Sequence, residues 1–185
     1  MKKIPSIRPN DLNNSGKYNI SSFRHEIRWV FEFFDDIEVT KKFDGTCCLI
    51  RDGMLYKRYD AQNGKTPPLG FEPCQEPDVK TGHWPGWILV NKNLKENSIY
   101  FESPLPENDG TYELCGPKVN NNPENFAVHT YIRHGNETIK NFELKLNWIL
   151  NFLRNSDIEG VVFHNQDGRM AKITQKNFGL KRKKK

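Results

Sequence analysis

The chain has 185 residues, 36% of them hydrophobic and 12% aromatic, which suits one packed domain and is short for two. No apolar run approaches the ~20 residues that cross a bilayer. The opening MKKIPSIRPNDLNNSG has two lysines but no apolar stretch behind them, so neither a membrane span nor a secretion signal is expected, and the expected location is cytoplasmic. The net charge of +5 resides in the last five residues, KRKKK; without them the basic residues equal the 23 acidic ones. Such an end is either a solubilising disordered tail or an arm that grips phosphates with salt-dependent affinity. The expected organisation is one domain over residues 1–180, with 1–17 an extended segment and 181–185 a disordered basic tail. Cys47, Cys48, Cys74 and Cys115 lack the CxxC spacing of zinc sites and are expected as buried thiols in a reducing compartment.

In chain order, residues 22–34 (SFRHEIRWVFEFF) set Phe23, Ile27, Val30, Phe31 and Phe34 on one helical face. The stretch IEVTKKFDGTCCLIRDGMLYKRYD then reads as strand, break, strand, turn, strand. Asp52-Gly53 is a strong hairpin signal, because primed turns need residues that tolerate positive φ. Residues 63–86, rich in Pro and Gly, read as a long surface loop. WILV (87–90), SIYFE (98–102) and TYELCG (111–116) read as strands, and NPENFAVHTYIRHG continues the β-rich pattern. Residues 141–154 (NFELKLNWILNFLR) form the clearest helix, with Phe142, Leu146, Ile149 and Leu153 at helical spacing. Two strands, IEGVVFH and MAKIT, close the chain around the turn NQDGR. Mixed β structure with two or three helices predicts an α+β domain.

In an extended IEVTKKF, Ile37, Val39 and Phe43 share one face, while Glu38, Thr40 and Lys42 share the other. The apolar face is the core face, so Lys42 points toward polar surroundings and Lys41 lies formally on the core side. Asp44-Gly45 breaks the strand and allows close backbone approach to a ligand.

The tetrapeptide Lys42-Phe43-Asp44-Gly45 resembles KxDG, the first motif of the lysine-dependent nucleotidyltransferases, the nucleic-acid ligases and mRNA capping enzymes. Further motifs follow in that family's order: Glu113 in YELCG, Glu159 in EGVVF and Lys172 in AKI, with Arg58 where ligases place an arginine after the nucleophile. FDGTCC, PGWI, ELCG, EGVVFH and KNFGL together look like compact ATP-dependent 5′-to-3′ RNA ligases, over roughly residues 38–180. The fifth motif departs from the family's KxK or KxR: Thr174 stands two positions after Lys172, and Lys176 is the next basic residue on that strand face.

The resemblance implies an adenylation domain with antiparallel sheets flanking an ATP cleft. It implies Lys42 as the nucleophile toward the α-phosphorus of ATP, then transfer of AMP to a 5′-phosphorylated RNA end and sealing to a 3′-hydroxyl. Nucleotide contacts would fall to Thr40, Lys41, Asp44, Gly45, Arg58, Glu113, Phe126, Glu159, Lys172 and Lys176, with a core role for Phe126 and a plain surface role for Lys176 equally open. Mg²⁺ or Mn²⁺ would be held by Glu159, Glu113 and Asp44, since hard cations take oxygen ligands. Lysine attacks only when neutral, and its ordinary pKa of ~10.4 leaves about one molecule in a thousand neutral near pH 7.4. Neighbouring cations such as Arg58 and Lys172 raise that fraction. A two-residue turn at Asp52-Gly53 pairs Arg58 with Cys47, and parity then sets Arg58 opposite Lys42 unless the Asp44-Gly45 break resets the count. His25, His83, His129, His134 and His164 lack metal-ligand spacing and read as surface or core residues. RNA ends are the expected partners and a monomer the expected state. A DNA or broad-specificity ligase, or a non-catalytic RNA-binding module with the same fold, remains an alternative.

Overall fold

Strand alternation organises two antiparallel sheets, each with its own core. In this computed structural model the described residues are 1–62 and 64–182. The chain divides into two compact units, one of Met1–Lys3 with Asp44–His134 and the other of Ile4–Phe43 with Gly135–Lys185.

The second unit holds a three-stranded sheet of β1 (Glu38–Lys42), β8 (Gly160–His164) and β9 (Met170–Thr174), in the order β1-β8-β9. Val39 pairs with Phe163, which pairs with Ala171, and this row packs into a core with Ile27, Trp29, Val30, Ile149 and Leu153. Among the described residues there are two α-helices, α1 (His25–Glu32) and α2 (Leu146–Asn155), both packed into that core, which Ile7, Leu12, Phe142, Leu144 and Phe178 complete. Both are shorter than expected. Phe23 lies outside α1 and stacks on Phe31 at 3.9 Å. Ahead of α2, Phe142 and Leu144 are buried between exposed neighbours, a two-residue period that marks extended chain rather than helix. The α2 N-terminus is satisfied by the N-terminal segment, where Asn13 O accepts from Leu146 N–H and Asn14 Oδ1 from Asn147 N–H.

The other unit carries a six-stranded sheet in the order β4-β5-β3-β2-β6-β7. Its strands are β2 (Thr46–Arg51), β3 (Met54–Gln62), β4 (Glu72–Pro73), β5 (His83–Leu89), β6 (Gly110–Cys115) and β7 (Thr130–Arg133). Asp52 and Gly53 have φ of 53° and 68°, as a primed hairpin turn requires. The core beneath holds Cys48, Ile50, Leu55, Tyr100, Tyr112 and Leu114.

Three expectations are corrected. The segment 63–86 is not all loop: β4 forms, and β5 begins at His83, with Gly86 so close to Phe71 that an added Cβ would lie 2.3 Å from its ring. SIYFE is not a strand but part of a 3₁₀ helix, Lys95–Phe101. That helix buries Asn97, whose side chain accepts from Lys57 Nζ at 2.9 Å and donates to Asn91 O. NPENFAVHTYIRHG yields only β7; before it, Asn120, Asn121, Asn122 and Asn125 all adopt positive φ, which breaks strand pairing. The α+β class with antiparallel sheets and few helices stands as expected. Of the basic end, Arg182 is paired, its Nε donating to Asp157 Oδ1 at 2.9 Å; the tail expected over 183–185 lies outside the described residues. No described helix is long and apolar enough to cross a membrane. All four cysteines are thiols; Cys48 and Cys115 are buried, whereas Cys47 and Cys74 are only half-buried.

Candidate functional site

Cross-strand register sets the lysines of the three-stranded sheet. Lys42 pairs with Gly160, which pairs with Thr174; Thr40 pairs with Val162, which pairs with Lys172. Directly opposed residues share a face, so Thr40, Lys42, Lys172 and Thr174 lie on the one opposite the core. Lys41 goes the other way, with Val161 and Ile173; its Nζ sits 3.7 Å from Glu137 and 4.2 Å over the Phe43 ring. Lys42 Nζ donates to Glu159 Oε2, both side chains being part-exposed. Gly160 must be glycine here, because an added Cβ would lie 2.0 Å from Ile173 O. Thr40 is buried, with its hydroxyl 2.8 Å from His164 Nε2.

Lys176 is corrected. The strand ends at Thr174, which caps a 3₁₀ helix, Gln175–Phe178, by accepting from Asn177 N–H. Lys176 is exposed in that turn and does not continue the face of Lys172 along a strand.

In the six-stranded unit, Asp44 and Gly45 are clasped by a distant loop. Asn120 Nδ2 donates to Asp44 Oδ1 and to Gly45 O, each at 2.9 Å, and Glu124 Oε1 accepts from Asp44 N–H at 3.0 Å. The Asp44 carboxylate is thus engaged by an amide. Gly45 N–H donates to Glu113 Oε1 at 3.1 Å, while Glu113 Oε2 lies 2.9 Å from His134 Nε2. Cys47 pairs with Glu113, which pairs with Ile132; His134, two residues on, returns to the same face. The neighbours Cys48, Tyr112 and Leu114 point to the core. Burial pushes the Cys48 thiol pKa well up, keeping it protonated.

Arg58 follows the Cys48–Lys57 pair and so lies on the face of Cys47 and Glu113. It donates to Met1 O and to Cys74 Sγ, and lies 5.2 Å over Trp87. Parity counted from Lys42 does not apply, because β1 and β2 belong to different sheets. Phe126 is half-buried, its backbone held at both ends by the Asn122 side chain.

The donors differ between the two faces. Glu159 offers hard oxygens, which suit Mg²⁺. Cys47, Glu113 and His134 bring one sulfur, one carboxylate oxygen and one ring nitrogen within 4.8 Å of one another, a mixed set that does not suit Mg²⁺. Asn120, Glu124 and Glu137 escaped the sequence reading, in which His134 and His164 figured only as surface or core residues. Their contacts join positions far apart in the chain, and no local spacing announces them.

Residues 101–185 match the family model described as RNA ligase 1, a span that includes Glu113, Glu159 and Lys172. A Pongo abelii protein named RNA ligase 1 is 27% identical over 218 residues, covering 76% of this chain and 67% of that protein. One of the same name from Rattus norvegicus is 28% identical over 160 residues, covering 67% of this chain and 46% of its own length. The Mus musculus counterpart is 27% identical, again with 46% of its length covered. The chain therefore spans less than half of the rodent proteins. The resemblance to RNA ligases that the motifs carry is shown by these matches.

Proposed function

We propose that the protein is an ATP-dependent RNA ligase with a nucleotidyltransferase fold, which adenylylates itself on Lys42 and then joins a 5′-phosphate RNA end to a 3′-hydroxyl. The observation that carries this reading is the pairing of Lys42 with Glu159 on the sheet face that also bears Lys172. An unreactive ammonium held by a carboxylate is a resting state: Glu159 orients the side chain and stabilises its proton. For attack, Lys42 gives that proton up to solvent, its nitrogen bonds to the α-phosphorus and sheds a second proton to solvent, and the bond to the leaving pyrophosphate breaks. Lys172, on the same face, offsets phosphate charge and disfavours a second cation beside it. A divalent cation held by Glu159 would supply further positive charge and loosen the carboxylate's hold on Lys42.

Incubation with α-labelled ATP and Mg²⁺ or Mn²⁺ tests the reading. Wild-type protein is expected to acquire label, Lys42→Ala none, and Lys41→Ala nearly as much as wild type. Absence of label on the wild type, or equal label on Lys42→Ala, overturns it. Parallel sealing of matched RNA and DNA nicks separates an RNA ligase from a DNA or broad-specificity one.

A further inference from the structure

We propose that Cys47, Glu113 and His134 form a binding site for one zinc-class divalent ion, separate from any magnesium that serves the ligase reaction. Three adjacent strands build it. Cys47 on β2 stands directly across from Glu113 on β6, and His134 follows β7, so all three side chains leave the sheet on the side away from the buried core. A sulfur, a carboxylate oxygen and an imidazole nitrogen make up a borderline-soft donor set, which takes Zn²⁺ or Co²⁺ in preference to Mg²⁺.

The spacing fits. A tetrahedral ion with bonds of about 2.0–2.3 Å needs donors about 3.4–3.6 Å apart. Those of Cys47, Glu113 and His134 already lie within 4.8 Å of one another, and Glu113 Oε2 and His134 Nε2 are 2.9 Å apart. Small side-chain rotations close the set. The carboxylate is also held from behind by Gly45 N–H, as ligating carboxylates commonly are. With Nε2 facing the carboxylate as the ligating atom, Nδ1 is the nitrogen that carries the ring proton; it is buried and has no hydrogen-bond partner among the described residues. The three side chains leave a fourth position for water or another ligand. On binding, Cys47 gives up its thiol proton to solvent, and the imidazole ligates through a lone pair.

Cobalt titration of the full chain without a histidine tag tests this by absorption. The expected result is one Co²⁺ per chain, with the visible bands of four-coordinate cobalt and a near-ultraviolet thiolate-to-cobalt charge-transfer band. Zn²⁺ is expected to abolish both by displacement, and Mg²⁺ to leave them. Cys47→Ser should lose the charge-transfer band, His134→Gln should weaken binding at least about tenfold, and Cys74→Ser and Lys42→Ala should behave as wild type. Circular dichroism of each variant confirms that it is folded. No charge-transfer band in the wild type, its survival in Cys47→Ser, or its loss in Cys74→Ser would overturn the site.

Discussion

At the scale of single residues, Gly45 shows how tightly the KFDG segment is built into its surroundings. An added Cβ would lie 2.4 Å from Leu114 O, 2.8 Å from Cys115 Sγ and 2.9 Å from Glu113 Cγ. The nearest of these is a backbone atom of β6, so the strand itself has to move. Gly45→Ala is expected to cost about 1–3 kcal/mol in urea unfolding, the usual scale of overpacking. An alanine variant as stable as wild type would show that β6 yields freely. Lys42 presents the opposite case. Its position was legible from alternation alone, because a two-residue period assigns each side chain of IEVTKKF to a face whatever the strand pairs with. Its partner was not: Glu159 lies 117 positions away, and only the pairing of β1 with β8 brings the two together.

At the scale of elements, the turn after β9 decides what the departure at Thr174 means. The sequence left open whether Lys176, next on that strand face, replaces the missing basic residue or is a plain surface lysine. The Thr174 hydroxyl donates to Asn177 Oδ1 at 2.7 Å and accepts from Asn177 N–H, turning the chain into a 3₁₀ helix. A lysine or arginine at 174 could not make that cap. Thr174→Val, close in shape but without the hydroxyl, is expected to lose about 1 kcal/mol. For a chain of this size that lowers the thermal midpoint by about 2–4 °C. An unchanged midpoint would mean that the cap is inert. Hairpins with Asp-Gly turns, the closing strands and the α2 core positions were readable in advance, since local turn chemistry and period settle them. The 3₁₀ helix at Lys95–Phe101 was not, because SIYFE carries strand-forming residues and only the buried hydrogen bonds of Asn97 oppose them.

At the scale of the whole molecule, the chain sustains two hydrophobic cores, one under each sheet. The core of the six-stranded unit holds Cys48 and Tyr100, with Tyr131 packed against it, and burial raises the pKa of all three. This gives that core a pH signature. Folded Cys48 keeps its proton where the unfolded thiol, with a pKa of ~8.5, loses it. Its contribution to stability is therefore complete below about pH 8.5 and declines above it, by up to about 1.4 kcal/mol per pH unit. The tyrosines add to the decline only above about pH 10, their unfolded pKa. Urea unfolding between pH 7 and 10.5 should show this slope in the wild type. Cys48→Ala should show a shallower slope than the wild type below about pH 10. Equal slopes in both proteins would remove Cys48 as the cause.

The sequence by itself determined which lysine leaves the core face, the order of the ligase-like motifs, the hairpin turns and the α+β class. Each depends on period, on turn geometry or on linear order, all properties of neighbouring residues. The tertiary structure alone decided the partners. It gave Lys42 to Glu159, Asp44 to Asn120, and Glu113 to Gly45 and His134, and it set Cys47 beside Glu113. Those contacts follow from strand order and register, which depend on how whole faces bury against one another and leave no mark in any local spacing.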